Sequence, residues 1–225
     1  GRTAFSAKMA LSHSGALAGS DEAYDALFER YGVQRVEDMD QLATVLIMFS
    51  QSQQVSAGGL VCLHDSGGER QLLIDLADAQ QVALAEIAET TERSIAACLD
   101  PGLPIVNPLD GWGAGGADAH QRMANCFEAL VADSNAALGA VVHDREPDSE
   151  IYPIYIEYLR QAQAGTSKPI FLVANRQGSG SDSLAITSTQ QGLPVIDGVS
   201  QFLVGVRCLF NYRDFLYPIT DPLPA

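Results

Sequence analysis

The sequence predicts an α/β protein: a parallel sheet with helices on both faces, preceded by a short helical segment. Three observations carry that prediction. Apolar runs at 59–63, 138–142, 169–174 and 194–196 are short and bounded by glycine, proline or polar residues, as strands buried on both faces are. Between them lie stretches with apolar residues at helical spacing, long enough for parallel βαβ crossovers. The chain has 225 residues and is 47% hydrophobic, enough to bury a sizeable core.

Residues 1–12 read as a lead-in. Ser20 then supplies a helix cap, and Asp21 and Glu22 give a negative first turn that suits the helix dipole. Ala23, Tyr24, Leu27, Phe28 and Tyr31 follow at helical spacing, and Gly32 is placed to end the helix. A second helix puts Met39, Leu42, Ala43, Leu46 and Ile47 on one face. The polar, small-residue stretch 51–57 is the expected domain boundary. Three units result: 1–56, 57–217 and a proline-rich linker at 218–225.

In the second unit the strand at 59–63 leads to a turn, Ser66-Gly67-Gly68, and a helix marked by Leu72, Leu73 and Leu76. A short apolar piece at 82–84 precedes a helix over about 90–99. Pro101, Pro104 and Pro108 enforce an extended connection, and 111–116 reads as a glycine-rich loop. Met123, Phe127, Leu130 and Val131 share one helical face before the next strand. Ile151, Ile154, Tyr155, Tyr158 and Leu159 form another such face, expected to be core or interface. Helices over 183–190 and 199–210 complete the pattern.

The formal net charge of −15 excludes the basic face that nucleic-acid binding requires and disfavours an anionic membrane. No apolar run approaches the roughly 20 residues of a spanning helix, and no signal peptide opens the chain. Cys62, Cys98, Cys126 and Cys208 are widely spaced in apolar surroundings. They read as buried free thiols of a cytoplasmic protein rather than as a disulfide framework or a metal site. The first residue is Gly1, not methionine, so the stretch is expected to be a fragment or a processed product.

Chemistry concentrates in two places. Ser12-His13-Ser14-Gly15-Ala16-Leu17-Ala18-Gly19-Ser20-Asp21 sets one imidazole among small residues, which predicts an open loop around His13. Ser66-Gly67-Gly68, lying between a strand and a helix, is an anion site in form. Glycine lets an anion approach the backbone, and the N–H groups and dipole of a helix start favour negative charge. Other constellations carry less. Asp65-Ser66-Gly67-Gly68 echoes a protease nucleophile segment without the accompanying histidine motif. His64 reads as a strand-end residue, and His120 and His143 as structural or solvated. Arg176 with Gly178-Ser179-Gly180-Ser181 reads as a βα loop. Asp110 and Trp112 are candidate mouth residues facing a neighbouring domain.

The stretch 12–21, with Glu22-Ala23-Tyr24-Asp25-Ala26-Leu27-Phe28 and Gly32-Val33, resembles the phosphohistidine segment of the NDP-forming acyl-CoA synthetases. These include the ADP-forming acetate–CoA ligases and are related to succinyl-CoA synthetase. Ser66-Gly67-Gly68, Ile87-Ala88-Glu89-Thr90-Thr91 and Asn107-Pro108-Leu109-Asp110 follow in the order of that family's C-terminal ligase domain. Lys168-Pro169-Ile170 and Gly192-Leu193-Pro194-Val195 match its later strands more loosely.

The resemblance implies a flavodoxin-like fold at 57–217 and, at 1–56, the last helices of a preceding ligase domain. It implies His13 as phosphoryl carrier, Ser66, Gly67 and Gly68 as its anion cradle, and Asn107 and Asp110 as possible substrate or interdomain residues. The implied reaction converts a carboxylic acid, CoA and ATP into acyl-CoA, ADP and phosphate. CoA and ATP/ADP with Mg2+ would bind mainly on CoA-binding and ATP-grasp domains, in cis or on another subunit of a homo- or hetero-oligomer. The stretch alone would then be inactive. The rival reading is a non-catalytic docking module of a multidomain protein such as an acetyltransferase fusion.

The chain departs from the family pattern in two places. Glu69-Arg70-Gln71 stands where a further glycine is usual, and Gly111-Trp112-Gly113 where Leu-Thr-Gly is common.

Overall fold

A computed structural model describes residues 2–14, 19–52, 54–144, 152–177 and 182–217. The side chains of His13 and Ser14 fall outside the description. Residues 15–18 of the histidine stretch, 178–181 after Arg176 and the expected linker 218–225 lie outside the described residues.

Three helices come first: α1 (Ala4–Ser14), α2 (Asp21–Tyr31) and α3 (Met39–Gln51). As expected, Ser20 caps α2 by accepting from the Ala23 N–H at 3.2 Å, and Gly32 ends it in the left-handed region at φ +65°. Asp38 caps α3 by accepting from the Gln41 N–H at 2.8 Å. Helix α1 was not foreseen in the lead-in. Its apolar residues have no helical periodicity, so the sequence carried no signal for it. It also places the backbone of His13 in a last helical turn rather than in a loop.

The sheet follows with β1 (Gly59–His64), α4 (Gly67–Ala79), α5 (Glu89–Ala96), β2 (Leu109–Asp110), α6 (Ala119–Ala132) and β3 (Ala136–His143). It continues with α7 (Tyr152–Gln163), β4 (Ile170–Ala174), α8 (Ser183–Gln190), β5 (Val195–Asp197) and α9 (Val199–Leu216). The strand order is β2-β1-β3-β4-β5, and every pairing is parallel. Residues 82–84 contribute one parallel bridge, Leu60 to Leu84. Strand β2 is the unforeseen member. At two residues between prolines and glycines it is too short to leave a pattern.

Side chains alternate across the sheet. Val61 and Leu63 of β1 join Phe127, Leu130, Tyr158 and Leu172 in a core beneath α5, α6 and α7. Leu60 and Cys62 join Leu73, Phe171, Phe202 and Leu203 in a second core beneath α4 and α9. Helix α3 lies on α9, with Met48 fully buried. A Cβ at Gly205 would come within 2.1 Å of the Met48 sulfur, so the missing side chain lets the two helices approach. The four cysteines are free thiols; Cys62, Cys126 and Cys208 are buried and Cys98 is half-buried.

Candidate functional site at the sheet switch point

Strand β1 is flanked by β2 on one side and β3 on the other. The chain therefore moves outward from β1 to β2, then returns past it to β3. Parallel sheets open a crevice at the carboxyl ends of strands where the winding direction reverses, and ligands bind there. In this chain the crevice lies between the ends of β1 and β3. His64, Asp65 and Ser66 stand at one side, His143 and Asp144 at the other.

Ser66-Gly67-Gly68 starts α4 at that point. Ser66 is extended (φ −146°, ψ 122°) and makes no side-chain capping bond. The first helical hydrogen bond runs from the Arg70 N–H to the Ser66 carbonyl at 3.1 Å, so the N–H groups of residues 67–69 lie ahead of the ladder. A Cβ at Gly68 would meet nothing nearer than the Ser66 hydroxyl oxygen at 4.0 Å. Neither glycine has a positive φ, so their backbone conformation does not demand glycine. What Gly68 provides is open space in front of uncapped N–H groups.

Asp110, at the end of β2, is brought to this turn. A Cβ at Gly67 would sit 3.0 Å from its Oδ2, while its Oδ1 accepts from the Trp112 N–H at 3.3 Å. Asn107 is used differently. Its Oδ1 accepts from the Cys62 N–H at 2.9 Å, and its Nδ2 donates to the Leu60 and Ala85 carbonyls at 2.8 and 2.9 Å. Those bonds hold the edge of β1, so this amide stabilises the strand that carries the site.

Helix α7 supplies residues that sequence reasoning had read only as core or interface. The Tyr155 hydroxyl donates to Asp65 Oδ2, and burial, reinforced by Asp65, pushes the Tyr155 phenol well above its usual range. His143 stacks on the Tyr155 ring at 4.0 Å and 14°. His120 Nδ1 lies 2.6 Å from the Tyr158 hydroxyl, and its ring packs on Trp112 at 5.4 Å. His120 and His143 are thus built into an aromatic layer beside the crevice.

Burial shifts two titratable groups beside the start of α4. His64 is fully buried, and burial with the nearby Arg70 charge lowers its pKa to about 4, so its ring is neutral at pH 7. Burial also raises the Glu69 carboxyl, assisted by the charges of Asp144 and Asp65. Among the described residues, no group of three or more His, Cys, Asp or Glu side chains could hold a metal ion. No described helix is long and apolar enough to cross a membrane.

Similarity to known proteins agrees with these features. A family model described as Succinyl-CoA ligase like flavodoxin domain matches residues 1–49. The chain is 36% identical over 110 residues to a 4-hydroxybutyrate–CoA ligase (ADP-forming) of Nitrosopumilus maritimus, covering 49% of this chain and 16% of that protein. It is 32% identical over 135 residues to acetate–CoA ligase (ADP-forming) I of Archaeoglobus fulgidus, covering 60% and 19% respectively. In fold it is similar to the dinucleotide forming acetyl-coenzyme A synthetase 1 of Ca. Korarchaeum cryptofilum solved with phosphate and ADP. That match has a TM-score of 0.76 at 19% identity and covers 94% of this chain and 45% of that one. The chain thus spans less than a fifth of the curated relatives named here. The histidine stretch lies inside the residues matched by the family model, and the parallel sheet behind it has the fold of the solved synthetase.

Proposed function

We propose that this chain is the phosphoryl-relay part of an ADP-forming acyl-CoA synthetase, which makes acyl-CoA, ADP and phosphate from a carboxylic acid, CoA and ATP. The observation that carries the proposal is the uncapped start of α4 at the sheet switch point, with open space at Gly68. In this reading His13 is the carrier. An imidazole with an ordinary pKa near 6.5 is largely neutral at pH 7, so one ring nitrogen keeps a nucleophilic lone pair. That nitrogen takes the phosphoryl group from ATP, releasing ADP, and later passes it to the acid's carboxylate to form an acyl phosphate, from which CoA displaces phosphate; one transfer is divided into easier ones.

Phosphoryl transfer depends mainly on positioning and on stabilising spread negative charge. The N–H groups and dipole at Ser66, Gly67 and Gly68 meet that need when the phosphorylated ring docks against them. The 1–56 unit would bring His13 from a preceding ligase domain to the flavodoxin-like unit at 57–217. CoA and ATP/ADP, the latter with Mg2+, would bind on CoA-binding and ATP-grasp parts in cis or on another subunit, in the cytoplasm. Phe5, Met39 and Leu46, which are 73%, 74% and 61% exposed, give the helical segment apolar surface for such a neighbour. Asp110, beside Gly67, would face that neighbour or the acid.

The test uses the intact enzyme. Incubation with labelled ATP is expected to leave an acid-labile, alkali-stable phosphoramidate, and His13→Asn to remove both the label and turnover. Undiminished labelling in His13→Asn would move the carrier to another residue and overturn this reading.

A further inference from the structure

The polar groups around the start of α4 divide into satisfied and unsatisfied ones. Asp65 accepts from Tyr155, and Asp110 from the Trp112 N–H. His64, fully buried, has no hydrogen bond at either ring nitrogen. Nε and Nη1 of Arg70 are also buried without an acceptor. Leaving buried donors unpaired is costly, and more so on a cation.

These donors lie together. His64 shares the sheet face of Leu60 and Cys62, the face that α4 covers with Leu73 and Ala77. Arg70 stands one turn into α4, and helical side chains lean back toward the helix N-terminus. That direction carries its guanidinium toward His64, whose proton affinity its charge lowers. His64 in turn lies two residues before the Ser66 cap position.

The charges at the turn decide what the donors are for. Asp65, Glu69 and Asp110 all stand at or beside it, and three carboxylates oppose a second anion. A helix terminus supplies only about half an elementary charge, so an anion docked there gains from a cation beside it. A guanidinium supplies a full charge and two parallel N–H groups matched to two oxygens of one oxyanion.

We propose that Arg70 and His64 are anion-binding residues which, with the free N–H groups at the start of α4, close a subsite for one tetrahedral oxyanion, a phosphate or phosphoryl group. Arg70 offers its fork, His64 one neutral N–H, and Gly68 the open approach. The identity of the anion rests on the relay reading above; the subsite itself rests on the unpaired donors. Arg70 lies in the segment where the sequence departs from the family pattern, so the guanidinium is this chain's own addition to the turn.

Inorganic phosphate is the probe. The chain, in phosphate-free buffer at constant ionic strength held with chloride, is titrated with phosphate by calorimetry and by thermal melting. Saturable binding and a matching rise in Tm are expected, because a ligand that binds only the folded state stabilises it. Arg70→Met is expected to weaken phosphate binding about tenfold or more, while Tm without phosphate stays level or rises as the unpaired donors disappear. Arg70→Lys keeps the charge but loses the fork, and is expected to weaken binding several-fold even if the methionine variant folds poorly.

Phosphate affinity unchanged in both variants, or no saturable binding by the wild type, would overturn the inference. The two readings fail separately. Loss of the phosphoramidate in His13→Asn with normal phosphate binding in the Arg70 variants leaves the relay without this subsite. The converse result leaves the subsite without the relay.

Discussion

Tyr155 and Asp65, 90 residues apart in sequence, are joined by a hydrogen bond from the tyrosine hydroxyl to the carboxylate Oδ2. The bond ties α7 to the residue that follows β1, across the mouth of the switch-point crevice. Tyr155 is 4% exposed and stacks on His143, so its ring is held by packing and its hydroxyl is aimed at Asp65.

Removing that hydroxyl tests whether the bond holds the site together. Hydrogen bonds to charged groups contribute about 1.5–3 kcal/mol. Tyr155→Phe is therefore expected to lose about 1–3 kcal/mol in urea unfolding with an unchanged m-value. A loss under about 0.5 kcal/mol would mean that Asp65 finds an equivalent partner in water.

His64 makes stability depend on pH in a defined window. Its pKa is about 4 in the folded chain, lowered by burial and then by Arg70, against 6.5 ordinarily. Between those values the unfolded chain holds a proton that the folded chain does not. The contribution is therefore fully present above about pH 6.5 and is lost as pH falls toward 4. At about 1.4 kcal/mol per pH unit, the loss approaches about 3 kcal/mol. Urea midpoints across this range are expected to fall more steeply for the wild type than for His64→Leu. Parallel profiles would show that His64 takes up its proton in the folded state as readily as in the unfolded one.

The sheet was legible in the sequence because β1, β3, β4 and β5 are continuous apolar runs, and burial on both faces demands that pattern. The turn Ser66-Gly67-Gly68 was legible as well, since a strand, two glycines and a helix define it locally. Arg70, His64 and Tyr155 were not. Arg70 registered only as a departure from the family, His64 as a strand end and Tyr155 as part of an apolar helix face. Their significance comes from neighbours brought together by topology: the Arg70 charge beside His64, and the β1 terminus against α7. Asn107 stood out for its motif, yet its amide bonds to the backbone at Leu60, Cys62 and Ala85. No local pattern foretells those partners.

The thiols offer a check on packing. Cys62 is fully buried and Cys208 is 2% exposed, whereas Cys98 is half-buried with its sulfur 3.2 Å from that of Cys126. Burial raises the thiols of Cys62, Cys126 and Cys208 above their ordinary range, which leaves them slow to attack a reagent in solution. An aromatic disulfide reagent is expected to attack Cys98 first. The adjacent Cys126 thiol then displaces the second thiolate, closing a Cys98–Cys126 bond and releasing two equivalents of chromophore per chain. In Cys98→Ser both equivalents are expected to vanish from the fast phase, although Cys126 remains. A fast phase that survives this substitution would place the accessible thiol elsewhere.

Gly68 separates the needs of the fold from those of the site. It lies in the first turn of α4 without a positive φ, and a Cβ there meets only open space. Alanine loses less backbone entropy than glycine in a helix, so Gly68→Ala is expected to leave folding intact or stabilise it by up to about 1 kcal/mol. The added methyl nevertheless stands where an anion must approach the uncapped N–H groups. Displacing one such charge-stabilising donor typically costs on the order of 10²–10³ in rate. In the intact enzyme, Gly68→Ala is therefore expected to melt no lower than wild type yet form the phosphoramidate at least tenfold more slowly. Gly67→Ala is a useful contrast, because its Cβ would lie 3.0 Å from Asp110 Oδ2 and disturb a side chain as well as the approach. Wild-type phosphorylation kinetics in a stable Gly68→Ala would show that the anion does not use this helix start, and the relay would then have to dock on another face of the sheet.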